Sequence, residues 1–409
     1  MPKPKTIFIF AYYSYKDPVF QSAVLPYFEN FPNKDQFRFI LLNFEQDQYR
    51  TSTAERTTIR QHLAQHNIIW YNTKWHSGRF KLIKKAFDFS WGLLLSLFLV
   101  IRYRAKAIYT EAFPGAIIGH ILAKVTFRKH MVHTFEPHAD YMVEAGEWSD
   151  TGWETKLLRS FERKVAKRCS HIFTATDGMI ERIKEWGTNA QMHRVPSCVD
   201  LKTFEHQSQL GASLKKEHKI PESACVLVYL GKFGGYYWEE ELFQLFAACE
   251  RLDNQEFYYC IFTPEDHAGP IQYFEQYGIP KNKYLIKTLQ KADVPAHLSM
   301  ANIGISAVRP FPSKRFCSPI KNGEYWACGL PILTVKEVAD DFIFAERHQL
   351  GIVMPDLTES SIFNAAKDIV NWYQQQNAVE VSQRCVDFVN KDRNVETYRK
   401  LYASIFEKL

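Results

Sequence analysis

Residues 318–334 read Ser-Pro-Ile-Lys-Asn-Gly-Glu-Tyr-Trp-Ala-Cys-Gly-Leu-Pro-Ile-Leu-Thr. Ser318 is a good helix N-cap, Pro319 suits a first helical position and Gly329 suits a left-handed stop. The run predicts a short helix over 319–328 and a buried strand over 331–334. The apolar residues 303–308 ahead of it predict another strand, so the whole is one β-α-β unit. A helix N-terminus offers unbonded N–H groups and the positive end of the helix dipole, a natural phosphate site. Lys321 falls in that first turn, and Glu324, three residues on, shares its face. A lysine beside a diphosphate and a carboxylate beside ribose hydroxyls would suit a sugar nucleotide. The same residues would equally make an ordinary capped helix with a surface Lys/Glu pair.

Working towards the N-terminus, 229–238 read Tyr-Leu-Gly-Lys-Phe-Gly-Gly-Tyr-Tyr-Trp. A buried strand over 225–230 enters a glycine-rich turn, and a helix follows from 239. Gly231, Gly234 and Gly235 would let backbone N–H groups approach a pyrophosphate, and Lys232 would neutralise it. The spacing matches no standard nucleotide-binding pattern, and a plain strand-to-helix turn is the competing reading. Further back, Val132–Asp140 places His133, Glu136, His138 and Asp140 just after a predicted strand, where α/β proteins carry their sites. The spacing fits no standard metal set, and a polar surface loop is the other reading. No Asp-x-Asp motif occurs in the chain.

These stretches sit in a regular alternation. Strands are expected at 6–11, 37–43, 68–70, 107–109, 130–134 and 171–175, with helices between, and the pattern restarts at 225 after a polar connection from Pro196 to Pro221. Such alternation predicts parallel sheets covered on both faces. The expected organisation is α/β: a doubly wound domain over 1–200, a second over 201–390, a closing helix over 391–409 packing back on the first, and a ligand cleft between the domains. At 409 residues, two cores are the natural expectation.

A net charge of +6 is too mild to argue for nucleic acid, and suits phosphate-bearing ligands or an anionic membrane leaflet. None of the eight cysteines forms a CxxC pair, which points to reduced, buried thiols in a cytoplasmic protein rather than zinc. The apolar run near the N-terminus, 7–10, is too short for a signal peptide. Residues 89–101, Phe-Ser-Trp-Gly-Leu-Leu-Leu-Ser-Leu-Phe-Leu-Val-Ile, fall short of the roughly 20 that span a bilayer, and basic residues flank them. They read as a helix packed on a sheet or as one touching the inner face of a membrane.

Several segments in order resemble the family 4 retaining glycosyltransferases, of GT-B fold. Val195–Asp200 with Phe204 is similar to the family's interdomain signature, with Cys198 where glycine is usual. Phe161–Lys164 and Cys169–Met179 resemble its preceding stretch, and 318–334 its donor motif. The resemblance implies two Rossmann-like domains facing a cleft, and retaining transfer of a sugar from a nucleotide diphosphate to an acceptor hydroxyl, without metal or other cofactor. By position, Gly231, Lys232, Gly234, Gly235, Ser318 and Lys321 would hold the donor diphosphate and Glu324 the ribose. His133 or His138 would face the reacting sugar, His133 lying nearer the strand. The family's first acid falls at Phe316, and a second basic residue of the glycine-rich loop at Trp238. A glycan or lipid-linked acceptor is implied, as in bacterial surface-polysaccharide assembly. A sugar-nucleotide epimerase and a non-catalytic binding protein are the alternatives.

Overall fold

The computed structural model describes residues 3–76 and 78–409. They form two compact units. The first comprises the chain up to Cys198 with Val395–Leu409, and the second is Val199–Asn394.

In the first unit the strands are β1 (Lys5–Ala11), β2 (Phe37–Glu45), β3 (Ile68–Lys74), β4 (Ala107–Glu111), β5 (Lys129–Thr134), β6 (His171–Thr174) and β7 (Gln191–Arg194). They pair in the order β3-β2-β1-β4-β5-β6-β7, parallel throughout. Helices cover both faces, so β1 and β2 are near-continuous apolar runs rather than alternating ones. The order reverses between β1 and β4, the place where sheets of this kind carry their ligand crevices. The closing helix Val395–Phe406 buries Tyr402 and Phe406 in this unit's core, beside Tyr27, Phe39 and Tyr109. Each such side chain contributes about 1.5–3 kcal/mol by burial.

The second unit holds β8 (Cys225–Leu230), β9 (Phe257–Phe262), β10 (Tyr284–Lys287), β11 (Ile303–Ile305), β12 (Ile332–Val335) and β13 (Gly351–Met354). Their order is β10-β9-β8-β11-β12-β13, again parallel, with the reversal between β8 and β11. Two doubly wound sheets are as the alternation predicts.

Three local readings need correction. The polar stretch after Pro196 is no bare connection: it folds as the helix Ser208–Glu217, seated by Gly211 against Ser299. Strand β7 has one apolar residue in four and does not announce itself in sequence; the helix Ala378–Asp392 buries Val381, Cys385 and Val389, apolar residues at a helical spacing that the sequence does carry. The apolar helix is longer than its apolar run, Lys81–Arg102, because straight-chain lysines at its start are good helix formers.

Candidate functional site

In the second unit, the ends of β8 and β11 and one helix converge. The hydroxyl of Tyr325 accepts from the N–H of Leu230 at 2.8 Å and donates to the carbonyl of Ile305 at 3.3 Å, tying the two strand ends together. The chain then turns at Gly231, whose N–H donates to Phe262 O at 3.0 Å. A Cβ on Gly231 would sit 2.6 Å from Lys321 Nζ, so glycine is what allows that ammonium to approach. Gly234 and Gly235 are both left-handed, with φ of 70° and 62°. Phe233 N–H donates to Glu265 Oε2 at 2.8 Å, and Tyr229 donates to the Lys232 carbonyl. Trp238 fixes the far side of the turn: fully buried, it donates its backbone N–H to Ala307 O at 3.0 Å and its indole N–H to Val308 O at 3.1 Å. The position that would carry a second basic residue is thus core. Lys232 is exposed at the rim.

The site helix is Ile320–Ala327. Ser318 is not its N-cap. Pro319 takes that place with an extended backbone (φ −61°, ψ 121°), and no side chain caps the first turn, while Ser318 lies buried one residue ahead. Gly329 does end the helix as expected, at φ 73°. Arg393 Nη1 donates to Pro319 O at 3.4 Å and pairs with Asp341, which accepts from Asn322 Nδ2 at 2.7 Å; these bonds anchor the helix.

Lys321 projects from the first turn. It is 9% exposed, and its ammonium has no hydrogen-bond partner among the described residues. It lies 4.3 Å from the Tyr237 ring centroid and 4.8 Å from that of Tyr229. Burial pulls its pKa down to about 7, with Glu324 opposing. Glu324 is half-buried; desolvation pushes its carboxyl up to about 7 against the pull of Lys291 and Lys321. Lys314, which sequence reasoning missed, is buried in the turn Pro312–Phe316 with its Nζ 4.5 Å from the Tyr236 ring centroid. Nothing in its sequence context distinguishes it from a surface lysine. The structure therefore gathers Gly231, Lys321, Tyr229 and Tyr237, with the uncapped helix start and its Glu324, at one strand-end site. A buried cation facing aromatic rings at the uncapped start of a helix is chemistry for an anion.

At the reversal point of the first unit the charges differ. The pairing of β4 with β5 sets Glu111 opposite His133. Both are fully buried, with Glu111 Oε2 3.6 Å from His133 Nδ1. Tyr109 Oη lies 3.1 Å and Tyr402 Oη 3.5 Å from the same nitrogen, and the Phe135 ring is 4.7 Å away. His133 Nε2 and both Glu111 oxygens lack hydrogen-bond partners among the described residues. The candidate loop histidine is thus a strand residue walled by aromatics. Glu111 was missed; the signal was there, since it is the sole acid between Phe89 and Phe135 and ends a strand.

His138 stands apart, half-buried at the start of the helix His138–Glu144. Glu162 holds that start, accepting the Ala139 N–H at 3.0 Å; burial raises its carboxyl to about 8 despite those backbone donors. Asp140 is tied by Arg159, 2.7 Å away, and by Arg182. Among the described residues, Glu29, His62 and His66 bring potential metal ligands within 4.8 Å of one another. His66 Nδ1, however, already accepts the Asn30 N–H at 3.1 Å.

No family model matches the chain, and no curated protein matches it. Solved structures do. HepE of Anabaena, in complex with UDP, superposes with a TM-score of 0.73 at 13% identity, covering 99% of this chain and 100% of that one. Sucrose-phosphate synthase of Thermosynechococcus elongatus gives 0.72 at 12% identity, over 99% and 98%. The lipopolysaccharide outer core galactosyltransferase WaaB, in its apo form, gives 0.66 at 12% identity, over 99% and 100%. The fold of this chain is that of the GT-B glycosyltransferases.

Proposed function

We propose that the chain is a glycosyltransferase that moves a sugar from a nucleotide diphosphate to an acceptor hydroxyl with retention of configuration. The observation that carries the reading is Lys321: a buried, unpartnered ammonium in the first turn of an uncapped helix, against the glycine-rich turn. Desolvation of an unpaired cation costs several kcal/mol, and a dianionic diphosphate would offset it. Negative charge grows on the leaving diphosphate in the transition state. Lys321, with Lys232, the N–H groups of Gly234 and Gly235 and the helix start beside Ser318, would stabilise it there without a metal or other cofactor. Glu324 would take the ribose hydroxyls. The UDP complexes of HepE and the UDP-2-fluoro-glucose complex of an E. coli trehalose-6-phosphate protein make the uridine series the first to try.

In the first unit, His133 with Glu111, or His138, would face the reacting sugar. The acceptor would be a glycan or a lipid-linked sugar, as in bacterial surface-polysaccharide or glycolipid assembly at the cytoplasmic face of a membrane.

The test is a thermal-shift panel of UDP, GDP, ADP, CMP and their sugar conjugates, on wild type and Glu324→Ala. A ligand at a hundred times its dissociation constant adds roughly 2.7 kcal/mol. A shift from one series, weakened by Glu324→Ala, supports the donor site, and no shift from any series refutes it. Phe316, standing where the family has an acid, keeps a non-catalytic binding protein in play. Glu111 does the same for an epimerase. Product analysis with donor alone, and with donor plus acceptor, separates the three.

A further inference from the structure

The helix Lys81–Arg102 packs on the first unit's sheet by one face only. Gly92 is pressed against the Phe44 ring, where a Cβ would come within 2.7 Å, and Leu99 and Val100 are buried beside Phe8 and Phe10. The opposite face carries Ile83, Phe87, Trp91, Leu94, Phe98 and Ile101, all between 48% and 71% exposed. Their spacing of four, four, three, four and three residues makes a single stripe along a helix about 33 Å long. The end of the neighbouring helix Ala112–Thr126 brings Val125 to the same groove as Ile101, and Phe127, just past that end, is 93% exposed. Phe80 and Phe127 hold left-handed backbones at the two ends of this surface, with φ of 65° and 55°. Such a conformation costs a phenylalanine roughly 1–2 kcal/mol, with no burial of either ring to offset it.

The exposed charge along this stretch of chain is basic. Between Ile83 and Phe135 the chain carries Lys84 and Lys85 near one end of the helix and Arg102, Arg104, Lys106, Lys124, Arg128 and Lys129 beyond the other, against two acids, Asp88 and Glu111, both buried and the first held by His76. Val100, Ile101 and Val125 line an open groove of about 720 Å³ where the two helices meet, and Arg104, Lys106 and Arg128 rim it. Apolar floor, basic rim and an outward Trp are the makings of an interfacial helix on anionic lipid. A second copy of the chain would complement the stripe, but in either orientation it would bring basic end to basic end. Among the described residues, no helix is long and apolar enough to cross a membrane.

We propose that this face is a docking surface for an anionic lipid bilayer, with the stripe entering the acyl boundary and the groove's arginines taking lipid phosphates. This deepens the acceptor half of the proposed function and rests on that reading only for what the surface serves.

The test is co-sedimentation of the full chain with vesicles of phosphatidylcholine alone and of phosphatidylcholine mixed with phosphatidylglycerol. Wild type should pellet with the mixed vesicles at least about tenfold more than with the neutral ones, since each basic residue near the surface adds roughly a fivefold preference. The Phe87→Ser/Phe98→Ser double variant should lose more than about tenfold, having given up two buried rings. Arg104→Ala/Arg128→Ala should lose roughly tenfold or more, and lose less as salt rises. In both variants the melting temperature and any nucleotide-induced shift should stay at wild-type values, so a failed membrane result leaves the donor reading standing, and the reverse. The proposal is overturned if wild type stays in the supernatant with mixed vesicles, or if the double variants pellet like wild type. It is equally overturned if light scattering shows a dimer that Phe87→Ser/Phe98→Ser converts to monomer.

Discussion

At the reversal point of the second sheet a lysine ammonium lies buried without a hydrogen-bond partner, while at that of the first a buried carboxylate and one nitrogen of a histidine lack one, the other nitrogen meeting tyrosine hydroxyls. The two places share a topology and a position, the carboxyl ends of parallel strands, yet their surroundings differ. Lys321 sits among tyrosine faces beside a glycine-rich turn, and the absence of a side chain at Gly231 lets its ammonium come close. His133 and Glu111 sit inside a wall of Tyr27, Tyr109, Phe135, Phe173 and Tyr402. A lone buried cation waits for an anion. A carboxylate 3.6 Å from a histidine is the kind of pair that general acid–base chemistry uses. On the proposed reading, one fold element used twice would serve binding in one unit and acid–base chemistry in the other.

The comparison breaks most visibly in turnover. His133→Ala should lower kcat by about 10²–10⁴-fold while leaving donor affinity unchanged, if His133 is the group at the reacting sugar. His138→Ala run beside it decides between the two: the histidine that acts shows the loss, and the other stays within about threefold. Equal losses in donor affinity from either would contradict the division between the units.

Lys321→Met should weaken nucleotide diphosphate binding about 100-fold, the scale of a charge-assisted contact in a desolvated site. The same change should raise the stability of the ligand-free chain, by about 1–4 kcal/mol, because it removes a buried charge that has no partner. Denaturant midpoints and a binding isotherm on one preparation read both. A variant that binds normally, or that is destabilised when empty, counts against the site.

Acid should find the first unit. Burial holds His130 down to about 3 from 6.5, its Nε2 2.9 Å from Thr110 Oγ1. The unfolded chain binds the extra proton below pH 6.5 and the folded chain does not until about 3, so stability falls as pH drops through that window. At pH 5 the loss is about 2 kcal/mol. His130→Gln should flatten the difference between urea midpoints at pH 7 and pH 5, and an unchanged difference would assign the acid sensitivity elsewhere.

The smallest effect expected is a tilt in donor affinity with pH. Lys321 must be charged to hold a diphosphate, and its pKa in the empty site is about 7. Affinity should therefore fall up to about tenfold per unit as pH rises above 7, until the raised pKa of the complex is reached.

The second site was the more legible of the two. Glycines, a proline and a lysine at a strand–turn–helix junction are local signals, and local geometry honours them, save that Pro319 displaced Ser318 from the cap. Lys314 escaped because its burial comes from Tyr236, far off in sequence. The setting of His133 was not legible either. Its neighbours come from the register of β4 on β5 and from a helix 269 residues away that brings Tyr402. Similarly, the run 89–101 gave a helix, but only packing decided which of its faces Gly92 would press inward and which would stay bare.

The measurement that bears most directly on the account is calorimetric titration, at pH 8, of the nucleotide diphosphate that shifts the melting temperature, in buffers of different ionisation enthalpy. At that pH most of Lys321 is neutral in the empty site, so binding should draw close to one proton from the buffer in wild type and none in Lys321→Met. Proton uptake and affinity that are the same in both proteins would contradict the claim that this lysine is what the diphosphate binds.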